Sequence, residues 1–332
     1  MTSAPQAPTA HIEPVRQSRT RDTISRLSQQ YGVLAAFLLL IVIFSLLNPA
    51  FLAPRNLSNI ALQSSINAVI GLGMMVVIAT AGIDLSVGSI VAFTGVVSTS
   101  LMMTQGMNTV LAVLLGLLLG VACGLLQGFI IAKGRIPPFI ATLGGLSFYR
   151  GLALLYTDGR PVIGAPPGFR NFFAGDVMGV PTPWIIVVVL AVVIHFVMHH
   201  TIFGESVLAL GGNEEAARLS GINTGMIKII VYGISGLFAA LGGMILTARL
   251  GSAEPIAGAG YELNAIAAVV IGGTSLLGGR ARVVGTVAGA LIMGGLRNGL
   301  TVLSVSTFMQ QVVVGVVVVL AVFVDQLGRR RA

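Results

Sequence analysis

The sequence predicts an all-helical, polytopic membrane protein, and two observations carry that class. Charged residues make up only 9% of the 332 residues while hydrophobic ones reach 55%, against about 25% charged in soluble domains. The nineteen bases and eleven acids are also unevenly spread, so long stretches carry no charge at all. Mean hydropathy is +0.95. A chain of this kind cannot cover a water-facing surface, but it can fill a bilayer.

The elements follow from the charge-free runs. Residues 1–30 read as a flexible basic tail, with prolines at 5, 8 and 14 and four arginines; the first apolar run begins too late for a signal peptide. Residues 27–54 and 56–83 each supply one helix of about 20 residues across a roughly 30 Å hydrocarbon layer. The run 85–132 has room for two, and 137–157 supplies another, interrupted only by Arg150. Spans follow at 177–204, 229–248, 263–279, about 283–300 and 298–324, which makes ten. A β-barrel would show roughly 10-residue alternating stretches, not runs such as the valine-rich 312–320. Residues 31–325 thus form one transmembrane domain, and 326–332 a second basic tail.

Ten spans place both termini on one side. That side holds thirteen bases: Arg16, Arg19, Arg21, Arg26, Lys133, Arg135, Arg218, Lys228, Arg280, Arg282 and Arg329 to Arg331. The other keeps Arg55, Arg150, Arg160, Arg170, Arg249 and Arg297. Lys and Arg in short loops stay cytoplasmic during insertion, so the richer side, with both termini, is inside. The net charge of +8 reflects that bias, and not nucleic-acid binding. The 43 glycines suit close helix packing, as at Gly116, Gly120 and Gly124. A single cysteine, Cys123, excludes an internal disulfide framework.

The inside segment 204–225 encodes a short helix with both ends marked. Asn213 is a favourable N-cap, Glu214 and Glu215 occupy the first turn, and Gly221 suits the left-handed position past the end. Glu214 and Arg218 stand four apart in the favoured order, which predicts an ion pair of about 0.2–0.5 kcal/mol. A helix this short is marginal alone, so it calls for a surface to pack against.

At this loop the sequence resembles the permease subunits of ABC importers. Glu215-Ala216-Ala217, followed by Gly221, is similar to their Glu-Ala-Ala loop. The Leu-Pro that closes the longer form of that motif is absent after Gly221, as in the sugar-uptake branch. Ala81-Gly82-Ile83-Asp84-Leu85-Ser86-Val87-Gly88-Ser89, Tyr261-Glu262-Leu263, and Gly272-Gly273-Thr274-Ser275-Leu276 with Gly278-Gly279 look like the ribose-type members in particular. The resemblance implies that 213–221, through Asn213, Glu214, Glu215, Ala216, Ala217, Arg218 and Gly221, couples the chain to a separate ATPase subunit that carries ATP and magnesium. It further implies a homodimer, a periplasmic or lipid-anchored sugar-binding protein, and a place in the bacterial cytoplasmic (inner) membrane.

The chain itself offers little for catalysis or metal binding. It lacks the Gly-Lys-Ser or Gly-Lys-Thr of a phosphate loop, and the adjacent His199 and His200 point in different directions on a helix. Asp84, the only acid between Asp22 and Asp158, lies between two spans, where it can cap the helix starting at Leu85 or act as a gate. The polar residues within spans, Gln63, Ser64, Asn67, Asn264 and Thr274, are uncharged and suit a path for a neutral polar solute such as a sugar. The proline-rich outside loop 157–182 suits docking of a folded partner. An ion-coupled secondary transporter is the competing class; it ordinarily needs membrane acids and broken helices at the midplane, whereas the acids here cluster in loops.

Overall fold

The computed structural model describes residues 33 and 35–330; the basic tail expected at 1–30 lies outside them. Helix α1 spans Ala35–Leu47, and a 3₁₀ turn at Pro49–Leu52 leads into α2, Pro54–Ala79. Then follow α3 (Val87–Met103), α4 (Thr109–Gly134) and α5 (Pro138–Thr157). A connection containing α6 (Pro167–Ala174) precedes α7 (Thr182–His200), α8 (Ile202–Gly212) and the short α9 (Glu214–Leu219). The chain continues through α10 (Thr224–Leu250), α11 (Tyr261–Ile271), α12 (Val283–Val302) and α13 (Thr307–Arg330). Six of these, α2, α4, α5, α7, α10 and α12, are long and apolar enough to cross a membrane. Among the described residues, sheet is confined to two-residue pairings, Val162–Ile163 with Ser252–Ala253 and Asp176–Val177 with Val180–Pro181. The fold is an all-α polytopic membrane bundle.

Helix α2 is the axis of the bundle, buried almost without interruption from Ser64 to Ala79 and packed by α10, α11 and α12. The closest pairing is α4 on α10, and glycine makes it close. A Cβ on Gly120 would overlap Ala240 and the Gly236 carbonyl, and one on Gly124 would overlap the Tyr232 carbonyl. This bears out a packing role for those glycines, with backbone pressed against backbone.

The structure corrects the sequence reading at three places. First, the span expected at 263–279 is only an 11-residue helix, α11, about 16 Å long and half the layer. What precedes it is a re-entrant segment. Thr247, one turn before the far end of α10, packs on Gly95, whereas Gly258 packs on Gly88. The chain therefore drops back by about two turns of α3, roughly 10 Å, before α11 begins.

Second, Arg150 is not a loop base: it sits within α5, about 18 Å from that helix's start, and is only partly exposed. Third, Asp84 does not lie at a membrane surface. It is fully buried and bonded to Ser235, about 16 Å into α10 from the end next to α9. The chain turns at Ala79 and rises again through 80–86 before α3 starts. Helix α13 runs on to Arg330, with its apolar part ending at Phe323.

The outside loop expected at 157–182 carries its own helix. Phe169 and Phe173 are four apart in α6, both buried, and pin it against α10.

Candidate coupling helix and translocation path

Helix α9 has the ends its sequence encodes. Asn213 is extended (φ −160°, ψ 105°) and its side-chain oxygen accepts the Ala216 N–H at 3.0 Å. Past the end, Gly221 takes φ +87°, where a side chain would be strained, and the Ile222 N–H closes onto the Ala217 carbonyl at 3.1 Å. Ala217 is buried against the bundle; Glu215, Arg218 and Leu219 face away from it.

The ion pairing differs from the expected one. Arg218 bonds Glu215, three residues back, through Nε to Oε2 at 3.2 Å and Nη2 to Oε1 at 2.6 Å. Glu214 is instead taken by Lys228 Nζ at 2.6 Å. The reason is tertiary: the start of α10 returns beside α9 and brings Lys228 within reach of Glu214, leaving Arg218 to its nearer neighbour. Hydrogen bonding to the Arg218 guanidinium holds the Glu215 carboxyl below the usual carboxylate range, and Glu215 in turn raises Arg218.

Two residues before α9, the end of α8 is locked into the bundle. The Gly279 N–H donates to the Ala79 carbonyl at 3.0 Å, and Gly211 lies against both, so close that a Cβ would overlap the Ala79 oxygen. Gly278, at φ +81°, packs on Gly211 and Ala81. The Gly272–Gly279 stretch is thus a turn whose backbone joins the end of α2, the end of α8 and the α11–α12 connection. Thr274 stiffens that turn by accepting the Arg282 N–H at 3.0 Å.

The remaining sequence candidates fall into two groups. Ser64, Asn67 and Asn264 lie on α2 and α11, which pack together, and all three are at most 5% exposed. Ser64 Oγ, Asn67 Oδ1 and both amide atoms of Asn264 have no hydrogen-bond partner among the described residues, which is uncommon for buried polar atoms. Gln63 is partly exposed, and Thr274 belongs to the turn above.

Asp84 forms a different centre. Its Oδ1 accepts the Ser86 N–H at 3.0 Å and the Ser86 hydroxyl at 2.6 Å, and its Oδ2 accepts the Ser235 hydroxyl at 2.7 Å. It braces the turn before α3 and ties it to α10. It does not cap the first turn of α3, where Ser86 is the cap residue and makes no side-chain capping bond.

Two residues of this region carry more than the sequence reading gave them. Arg150 Nη1 donates to the carbonyls of Pro255 and Ala257, both at 2.7 Å, and so satisfies re-entrant backbone inside the bundle. Glu262 accepts the Gly260 N–H at 3.1 Å at the start of α11 and presses its other oxygen against Gly88 at the start of α3. The signal was present: one base inside an apolar run, and one acid at the edge of another. Asp84, in the buried turn between α2 and α3, and Glu262, in the first turn of α11, are acids within the bundle, which corrects the expectation that acids keep to exposed loops. At the end far from α9, a cavity of about 400 Å³ opens between α2, α6 and α10, lined by Leu62, Arg170, Asn171 and Arg249, within the size range of ligand pockets.

Comparison with known proteins decides what such a bundle is. The family model described as branched-chain amino acid transport system / permease component matches residues 56–322. The chain belongs to this permease family. The permease is similar to the ribose import permease protein of Bacillus subtilis, 46% identical over 316 residues, covering 95% of this chain and 98% of the relative. Against the ribose import permease protein of Escherichia coli K12 it is 50% identical over 299 residues, 88% of this chain and 92% of the relative. The D-allose transport system permease protein of the same strain is 41% identical over 300 residues, 90% of the permease and 92% of that relative. No solved structure matches the permease.

Proposed function

We propose that the permease is the transmembrane subunit of an ATP-driven importer in the bacterial cytoplasmic membrane, forming the path for ribose or a closely related neutral sugar. The observation that carries this reading is identity of 46% and 50%, over most of the chain, to two ribose import permeases, greater than the 41% to the allose protein. In this reading the helices cross the membrane ten times, α11 with its re-entrant lead counting as one crossing, and both termini are cytoplasmic. The α9 end is then the cytoplasmic face, consistent with Lys133, Arg135, Lys228, Arg280 and Arg282 near it.

The permease acts as a homodimer, and α9, through Asn213 to Arg218 and Gly221, docks on an ATPase subunit that binds ATP and magnesium. Its outward residues Glu215, Arg218 and Leu219 supply the contact. Movement of α9 reaches α2 and α11 through the Gly211, Ala79 and Gly279 junction, because those backbones have no slack between them. A periplasmic or lipid-anchored sugar-binding protein delivers the solute to the opposite face. The chain itself performs no chemistry on the sugar.

The test is gentle purification of the natural chain and of Glu215→Arg from native membranes, with mass spectrometry of what remains bound, beside uptake of labelled ribose. An ATPase that accompanies the natural chain and is lost from the variant supports the proposal. Recovery of the chain alone, with uptake that collapses when the proton gradient is dissipated, transfers the assignment to an ion-coupled transporter using Asp84 or Glu262.

A further inference from the structure

We infer that residues 254–263, the re-entrant segment and the first turn of α11, wall a water-filled solute path. The inference rests on the reading that this chain conducts a solute, and it relocates the path away from the amides that the sequence singled out. Ser64, Asn67, Asn264 and Thr274 are buried and open onto no solvent in this state.

The re-entrant segment is built differently. Its inner flank is satisfied by protein: Arg150 binds the Pro255 and Ala257 carbonyls, and Gly258 is buried against Gly88. Its outer flank is open, with Ile256 64% and Leu263 47% exposed and Ala259 exposed between them. This flank begins near the end of α10 and reaches about 10 Å back along α3, so it stands at membrane depth.

Irregular backbone at that depth does not face lipid; it is found buried in protein or lining water. The ionisable group on this segment favours water. Glu262, in the first turn of α11, is only partly buried, between the exposed Ala259 and Leu263. Ionisable and amide side chains within membrane segments face aqueous cavities or partners, not hydrocarbon. A partly exposed carboxylate beside the apolar Ile256 and Leu263 suits a sugar, whose hydroxyls and C–H faces alternate.

Cysteine reactivity tests this in the full chain, expressed with its partner subunits in membrane vesicles open to reagent on both sides. The background is favourable because the one natural cysteine, Cys123, is buried. Ile256→Cys, Ala259→Cys and Leu263→Cys alter exposed positions and should fold. Met178→Cys, at a fully exposed site in the far-end connection, is the positive control. Leu118→Cys and Val192→Cys, 63% and 64% exposed on α4 and α7, report a lipid-facing surface.

With a charged, membrane-impermeant thiosulfonate, the three path cysteines should react at least about tenfold faster than the lipid-facing pair, since the thiolate is the reactive form and hydrocarbon suppresses it. Ribose should slow them. Reaction no faster than at Leu118→Cys, with Met178→Cys fully modified, overturns the inference and makes this flank a lipid-facing or sealed protein surface. Fast reaction without protection by ribose supports the aqueous wall and counts instead against ribose as the solute, so the two readings fail separately.

Discussion

The N–H of Gly279 donates to the carbonyl of Ala79 across 3.0 Å, which ties the connection after α11 to the last residue of α2. Gly211 fills the angle between them. A Cβ at Gly211 would overlap the Ala79 oxygen and stand 2.6 Å from the Gly279 nitrogen, and neither backbone atom can rotate away. Gly211→Ala should therefore lower stability by about 1–3 kcal/mol, the usual range for overpacking, and impair uptake. Gly212→Ala meets nothing within 4 Å and should stay within about 0.5 kcal/mol of the natural chain. Thermal unfolding of both in detergent, beside ribose uptake, checks the contrast; equal behaviour of the two removes the junction from the coupling route.

Arg150 supports the re-entrant loop through two carbonyls. Its loss leaves both without their donor, and each buried unsatisfied group costs about 1–3 kcal/mol. Arg150→Ala is expected to destabilise at least by that amount and to abolish uptake. Arg150→Lys should recover only part of both: an ammonium can donate to two carbonyls from one nitrogen, as Nη1 does, but its stem is one bond shorter and leaves that nitrogen short of them. Full rescue by Lys would show that charge alone matters there.

On α9, pairing and docking can be separated. Glu215→Arg removes the ion pair and reverses the outward charge; adding Arg218→Glu restores a pair in the opposite sense. Both variants should fold with stability within about 0.5 kcal/mol of the natural chain, as exposed substitutions do, and both should fail to retain the ATPase. Retention by the double variant would mean that the helix needs only its own pair, and that the outward charges make no contact.

The Glu215 carboxyl, held down by Arg218, should titrate below the unperturbed value of about 4.3. A depressed folded value means that the pair's contribution is complete above the ordinary glutamate range and disappears as pH falls through the folded value. Carbon-13 NMR of labelled glutamate in the solubilised permease reads this directly. Arg218→Ala should return Glu215 to the ordinary value, and no movement would show that the hydrogen bond does not persist in solution.

Much of this architecture was legible in the chain. Hydrocarbon cannot satisfy backbone, so each apolar run had to become a helix; six of the expected spans appear as helices long and apolar enough to cross a membrane, and the others coincide with shorter apolar helices. The ends of α9 were equally plain, because Asn213 and Gly221 act on backbone within three residues of themselves. The Glu214–Arg218 pair failed for a non-local reason: Lys228 arrives from the next element.

By itself, then, the sequence determined the membrane class, the run of helices, the position and caps of α9, and through its motifs the kind of permease. Those properties depend on local composition and short-range hydrogen bonding. Only the tertiary structure decided the depths: that Asp84 is bonded to Ser235 inside the bundle, that Arg150 satisfies a loop folded back into it, that α11 begins halfway down, and that Gly211 wedges between Ala79 and Gly279. A charge in a sequence carries no depth, and a polar group's environment is set by chain segments distant in sequence, as Arg150 and Pro255, 105 residues apart, demonstrate.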